Sequence, residues 1–249
     1  MDLGLKGKVA LVTGAGSQVG FGKGIVLTLA KEGCDIIAVD IDLEGAEQTA
    51  AEARALGSKA LALKADVTSR TEVDDMVKMA LKQFNRIDIL VNNAGGATPP
   101  SPFLEKPETN WDKDINLNLR GVMYCTKAVL PQMVSRRSGK IVNISSVGGI
   151  DGVPTGTAYG AAKAAVINFT MGLAREVVES GINVNCIAPG LGNTQFYDNF
   201  PAGMVELSKK MAAEGKATTP QDIGNVVAFL ASDVSIRILG QCLRVSGTL

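Results

Sequence analysis

Short apolar runs alternate with longer helical stretches along the whole chain, and this alternation restricts the fold more than any other feature. Residues 8–12, 35–39, 60–65, 87–91, 140–144, 182–187 and 241–245 are strand-like. Between them the pattern is helical at 22–31, 43–56, 110–134, 156–180 and 222–231, and Thr68 or Ser69 is placed to cap a further helix running to about Phe84. Strands with few polar positions indicate a sheet covered on both faces, and helices between strands indicate parallel crossovers. The expected fold is α/β: a single doubly wound, Rossmann-type domain with a seven-stranded parallel sheet and helices on both faces. Pro131 should fall near the end of the 110–134 helix. A chain of 249 residues can bury a core without staples, and no repeat or linker divides it, so residues 1–249 are expected to form one domain.

Composition narrows the chemistry. Acidic and basic residues balance at 25 each, which leaves no basic footprint for nucleic acid. The chain has no histidine. A Ser-His-Asp triad and a His-ligated metal are thereby excluded, and acid–base work at neutral pH falls to Tyr, Lys, Cys, Asp or Glu. Cys34, Cys125, Cys186 and Cys242 lack metal-ligand or redox spacing and read as small buried hydrophobes in a reducing compartment. No metal site is expected. The N-terminus has no apolar leader, and no apolar stretch approaches the ~18 residues of a membrane span, so a cytoplasmic protein with no membrane partner is expected.

The first turn carries the strongest local signal. Thr13-Gly14-Ala15-Gly16-Ser17-Gln18-Val19-Gly20-Phe21-Gly22 joins the first strand to the first helix. Glycines there let backbone amides approach a pyrophosphate, and the helix N-terminus favours its charge. Asp40 ends the second strand, eighteen positions past Gly22. An acid at that point accepts hydrogen bonds from a ribose 2′-hydroxyl and repels a 2′-phosphate. No Lys or Arg lies between Gly14 and Phe21 to hold such a phosphate, so NAD is favoured over NADP. The plainer alternative is a structural turn followed by a surface Asp.

The turn is followed in order by Asn92-Asn93-Ala94-Gly95, Ser146, Tyr159-Gly160-Ala161-Ala162-Lys163 and Pro189-Gly190. Together these resemble the short-chain dehydrogenase/reductase family, and most nearly its branch of 3-oxoacyl-thioester reductases and secondary-alcohol dehydrogenases. The likeness runs from Gly7 to Gly247. It implies a catalytic set of Asn118, Ser146, Tyr159 and Lys163. Tyr159 and Lys163 lie four apart on an expected helix and share a face. A nearby ammonium favours the phenolate, which lets a tyrosine act as general acid/base. Ser146 would hydrogen-bond the substrate oxygen, while Ser145 should point the other way as a packed hydroxyl. The family pattern sets its Asn three residues before Gly121-Val122. That selects Asn118, as the anchor of a water relay behind Lys163, and leaves Asn116 a local structural role.

Cofactor contacts carry over by position. Gly14, Ser17, Gln18, Gly20 and Phe21 would form the phosphate turn, and Asp40 with Ile41 would meet the ribose. Asp66 and Val67 would meet the adenine, Asn93, Ala94 and Gly95 the adenosine end, and Pro189, Gly190, Gly192 and Thr194 the carboxamide. Two departures stand out. The family's usual spacing would put Gln18 in place of a glycine; a turn two residues longer, with Gly14, Gly20 and Gly22 in the glycine roles, keeps the following helix and Asp40 in register and is the preferred reading. Gly192 stands where the family often has Ile.

The substrate side should combine Ser146 and Tyr159 with Gly96, Gly148, Leu191 and Phe196, under a covering segment at 191–217. No Arg cluster points to a free carboxylate, so a neutral alcohol or a hydroxyacyl thioester fits best. The expected function is an NAD-dependent oxidoreductase that transfers hydride between such a secondary alcohol and nicotinamide, giving the ketone. The alternatives are an NADPH-dependent 3-oxoacyl-thioester reductase and a non-catalytic NAD-binding scaffold. The resemblance also implies a homotetramer built through the helices of Asn118 and Tyr159 and the last strand.

Overall fold

The computed structural model describes residues 2–192, 194, 196, 200 and 202–247. Its strands are β1 (Val9–Thr13), β2 (Asp35–Asp40), β3 (Ala60–Lys64), β4 (Ile89–Asn92), β5 (Gly139–Ile144), β6 (Ile182–Pro189) and β7 (Cys242–Val245). All pair in parallel, in the order β3-β2-β1-β4-β5-β6-β7. The doubly wound expectation holds, and no strand end moves by more than two residues.

Helices α1 (Phe21–Lys31), α2 (Leu43–Ala55), α3 (Arg70–Phe84), α4 (Glu108–Ile115) and α5 (Gly121–Arg136) occupy the first two thirds of the chain. They are followed by α6 (Gly148–Asp151), α7 (Thr157–Val177), α8 (Ala202–Ala213) and α9 (Pro220–Ala231). Ser69 is the cap of α3; its side chain accepts from the Glu72 amide. A reciprocal Thr219–Asp222 capping box starts α9 two residues earlier than expected.

Strand side chains alternate between two cores. Val12, Ala38, Val91, Val142 and Ile187 pack with α1 and α9, while Leu11, Ile37, Leu90, Ile141 and Val184 pack with α3, α5 and α7. Each such Val, Leu or Ile side chain, fully buried, contributes roughly 1.5–3 kcal/mol. The cysteines are unpaired; Cys34, Cys125 and Cys186 are buried and Cys242 is half-buried. No helix among the described residues is long and apolar enough to cross a membrane.

The region expected as one helix at 110–134 has a finer structure. Helix α4 passes through a π-helical turn at Asn116–Arg120 into α5. Pro131 falls near the end, as expected, and α5 closes at Arg136. The residues after the proline are held by burial: Met133 is fully enclosed in the core, which outweighs one missing backbone donor. The helices α6 and α8 were not expected.

Strand order reverses between β1 and β4, so the chains leaving their carboxyl ends diverge and open a crevice. Beneath it runs a buried polar ladder. Asn92 Nδ2 donates to Thr126 Oγ1 at 3.0 Å and to Asn143 Oδ1 at 2.8 Å, and Asn143 Nδ2 donates to Thr170 Oγ1 at 2.9 Å. It ties β4 and β5 to α5 and α7 below the crevice.

Candidate active site

The glycine turn leaves β1 at Gly14, whose φ of +69° suits glycine. A Cβ on Gly22 would collide with the Gly14 carbonyl oxygen, so α1 starts hard against the turn. Gly20 caps α1 with no side-chain bond, and the first turn has no acidic residue. The positive end of the helix is therefore not neutralised from within.

Gln18 braces the turn. Its Nε2 donates to the carbonyls of Gly16 (2.8 Å) and Gly45 (3.0 Å), and its Oε1 accepts from Lys23, which also pairs with Glu52. Gln18 lines neither of the clefts described next, contrary to the expectation of a cofactor contact, because its amide is committed to bracing the turn against α2. Ser17 does face the main cleft, and its buried Oγ has no hydrogen-bond partner.

Two clefts meet at Asp40. The main one encloses about 390 Å³ and the second about 470 Å³. Asp40 lines both, and its carboxylate is held in place: Oδ2 accepts from the Gly16 amide at 2.7 Å and Oδ1 from the Asp42 amide at 3.0 Å. Ala94 and Gly95 also line both clefts, while Ile41, Asp66 and Val67 line the second. Asp66 Oδ1 accepts from the Thr68 amide and hydroxyl at 2.8 and 2.7 Å, which shapes that rim. Lys113, Asn116 and Leu117 complete the second cleft. Sequence reasoning missed them there and gave Asn116 only a local role. Their spacing of three and four was the available signal, since it sets all three on one helix face.

The main cleft brings Ser146, Tyr159 and Lys163 together, with Gly14, Gly20, Phe21 and Asn93 toward the turn. Asn93 also braces the turn, since its Nδ2 donates to the carbonyls of Thr13 (2.9 Å) and Gly14 (3.0 Å). Lys163 is fully buried, and its ammonium donates to the Ile144 carbonyl at 3.0 Å. Burial pushes its pKa from 10.5 down to about 8. The ammonium lies 5.8 Å from the centre of the Tyr159 ring. Ser145 Oγ donates to the Lys163 carbonyl at 2.7 Å, so it locks β5 to α7, as expected of a packed hydroxyl. Ser146 Oγ accepts from the Gly148 amide at 3.0 Å.

Asn118 is brought to the same place but stands behind the wall. A Cβ on Gly95 would lie 3.0 Å from both Asn118 Oδ1 and Lys163 Nζ, so glycine there separates the two without a gap. The Asn118 amide is fully buried and bonds both backbone groups of Gly96 and the Asp114 carbonyl. It therefore holds Gly96, which itself lines the cleft.

The far wall is formed by Pro189, Gly190, Gly192, Thr194 and Phe196. A Cβ on Gly192 would stand 2.6 Å from Phe21 Cζ, so the Phe21 ring fills the space that residue 192 leaves. The Phe196 ring is 5.7 Å from Tyr159 and 5.3 Å from Phe200. Leu191 and Gly148, both expected at the substrate, line neither cleft. The Leu191 carbonyl is tied to the Thr218 amide at 2.9 Å, and Gly148 acts one layer back as the amide donor to Ser146. Of the covering segment, residues 193, 195, 197–199 and 201, including Tyr197, lie outside the described residues.

Residues 8–205 match the family model described as short chain dehydrogenase. This chain belongs to the short-chain dehydrogenase/reductase family. It is 40% identical to a hydroxy(phenyl)methylsuccinyl-CoA dehydrogenase subunit of Thauera aromatica, covering 98% of this chain and 97% of that one. It is 39% identical to a 3-oxoacyl-acyl-carrier-protein reductase of Thermotoga maritima, covering 98% of each. The solved structure of a 3-ketoacyl-acyl-carrier-protein reductase from Brucella melitensis complexed with NADH superposes with a TM-score of 0.89 at 35% identity, over 98% of each chain. The chain is thus an oxidoreductase of the 3-oxoacyl-reductase-like branch, acting on a CH–OH group with a nicotinamide cofactor. The residues present suit such a cofactor: the unpartnered Ser17 hydroxyl and the unneutralised end of α1 meet at the turn, where a phosphate would lie.

Proposed function

We propose that the chain is an NAD-dependent oxidoreductase that interconverts a secondary alcohol, presented as a hydroxyacyl thioester, and its ketone. The observation that carries this reading is the single cleft shared by Ser146, Tyr159 and Lys163, with Asp40 at its adenosine end. Bound nicotinamide supplies the hydride acceptor. Tyr159 takes the alcohol proton on its phenolic oxygen, and returns it when the ketone is reduced. The Ser146 hydroxyl holds the substrate oxygen, with its own orientation set by the Gly148 amide. The buried Lys163 charge favours the phenolate form of Tyr159. Asn118 acts from behind, fixing Gly96 through hydrogen bonds to its amide and carbonyl.

Asp40 supports NAD. A 2′-phosphate would meet a carboxylate already oriented by two amides, with no cation between Gly14 and Phe21 to offset it. The thioester class is supported by the names of two relatives, one a CoA-thioester dehydrogenase and one an acyl-carrier-protein reductase. The reductase relatives favour a second reading, NADPH-dependent reduction of a 3-oxoacyl thioester. Residues 191–217 serve as the substrate cover, held at Gly192 by Ser208 Oγ at 3.1 Å. The half-exposed Met123 on α5 and Met171 on α7 support a homotetramer, and a monomer in sedimentation at micromolar concentration would rule that out. Four unpaired thiols fit a cytoplasmic setting.

The test is absorbance at the reduced-nicotinamide band. NAD and NADP are offered separately with free secondary alcohols and with hydroxyacyl-CoA thioesters, and Tyr159→Phe runs beside the wild type. NAD-linked turnover of thioesters that falls by ~10²–10⁴-fold in Tyr159→Phe, with NADH affinity kept, is the expected result. Turnover confined to NADP would favour the reductase reading. Unimpaired turnover in the variant would remove Tyr159 from the chemistry.

A further inference from the structure

Among the described residues, one ion pair has both side chains withdrawn from solvent: Lys106 Nζ lies 3.6 Å from Asp114 Oδ2, and each side chain is 1% exposed. Burying two charges is costly, and an apolar pair of similar volume would commonly serve stability as well or better. The pair is part of a set of directed bonds. Asp114 Oδ1 accepts from the Thr98 amide at 2.8 Å, its Oδ2 accepts from the Thr98 hydroxyl at 3.0 Å, and the Lys106 ammonium reaches the Pro99 carbonyl at 3.4 Å. One turn along the same helix, Asn118 Nδ2 donates to the Asp114 carbonyl (2.8 Å) and to the Gly96 carbonyl (2.7 Å).

The stretch between β4 and α4 is therefore fastened at three points, Gly96, Thr98 and Lys106, to two residues of one helical segment, and Lys106 also holds the Pro99 carbonyl within the stretch. Gly96 and Ala97 of that stretch line the main cleft. The Ser101 amide further joins it to the Thr155 carbonyl at 3.1 Å, in the segment that leads into α7. Thr155 has a φ of +62°, a conformation that costs a β-branched residue energy and is kept only where surrounding contacts demand it.

We infer that Asp114, held by Lys106, is a positioning residue: it sets the wall at Gly96 and Ala97 relative to Asn118 and to the helix of Tyr159 and Lys163, and so governs how the reacting carbon is placed. The ammonium neutralises a carboxylate that a dry site would otherwise exclude. The carboxylate in turn offers two acceptors to one threonine. The inference rests on the oxidoreductase reading of the cleft.

Two double variants test it. Lys106→Met with Asp114→Val removes both charges and the acceptor. Lys106→Met with Asp114→Asn removes both charges but leaves a group that bonds the Thr98 amide and hydroxyl. Each is measured for kcat and KM on the best substrate of the screen, for NADH affinity, and for hydrogen exchange at the amides of Gly96, Ala97, Thr98 and Ser101. The valine variant should exchange faster at those amides and lose ~10- to 100-fold in kcat/KM, with NADH affinity kept. The asparagine variant should recover most of both losses, which a general weakening of the fold would not allow. Should the valine variant fail to fold, the asparagine variant alone decides: near-wild-type KM and exchange uphold the inference, and a loss in both overturns it. Exchange reads the anchoring without turnover, so the two ideas fail separately. A wild type inactive on every alcohol and thioester would overturn the functional reading. Wild-type exchange and kinetics in the valine variant would overturn this one.

Discussion

Methionine at position 163 should stabilise the protein without its cofactor and end its turnover. The Lys163 ammonium is fully buried, has one hydrogen bond, to the Ile144 carbonyl, and pairs with no carboxylate among the described residues. The fall of its pKa from 10.5 to about 8 corresponds to about 3 kcal/mol that the folded state forgoes at pH 7. Methionine keeps the apolar stem and removes the charge, but leaves the Ile144 carbonyl without its donor, at about 1 kcal/mol. The net gain is about 2 kcal/mol, or a Tm higher by roughly 4–8 °C for a chain of this size. The pH dependence identifies the cause. Below pH 8 the lysine is charged in both folded and unfolded chains, and the whole penalty is present. Between pH 8 and 10.5 the folded protein has lost a proton that the unfolded chain retains, so the wild type gains stability as pH rises. Above 10.5 the penalty is gone, and the wild type keeps its hydrogen bond. Calorimetry of both apo-proteins at pH 7, 9 and 10.5 should show the advantage of the variant shrinking to nothing. A variant less stable than wild type at pH 7, or an advantage that ignores pH, would refute the reasoning.

Two further substitutions probe the cofactor end. Ser17→Ala removes a hydroxyl that bonds nothing in the protein, so its Tm should match wild type while the NADH dissociation constant, read by fluorescence titration, rises about fivefold. Asp40→Asn keeps an acceptor for the Gly16 or Asp42 amide but removes the charge that would face a 2′-phosphate. The ratio of kcat/KM for NAD over NADP should fall by about tenfold, and an unchanged ratio would detach cofactor choice from Asp40.

Much of this architecture was legible from the chain alone, for a specific reason. Strands buried on both faces read as runs with few polar positions, as in Val9–Thr13, and Ile182–Pro189 keeps that character although Asn183 and Asn185 interrupt it. Ser146, Tyr159, Lys163 and Asp40, each singled out by its position in the sequence, line one cleft of the folded chain. What escaped was set by tertiary context. No local propensity announces the π-helical turn that carries Asn118 into the wall. Gln18 has the composition of a ligand contact, and only its reach across to Gly45 shows that it braces the turn. Lys106 and Asp114 look like solvated surface charges in sequence, since burial of a pair depends on what folds over it.

The braced turn has a consequence for how the cofactor arrives. A glycine-rich phosphate loop would ordinarily hold conformational freedom, and each binding event would have to remove it. Here Gln18, Lys23 and Glu52 remove it during folding instead, by linking the turn to α2 before any ligand is present. Association then resembles a key entering a finished lock: little ordering entropy is lost, and affinity comes from contacts with a cradle already in shape. Cofactor exchange is accordingly expected to need no gating step at the phosphate end.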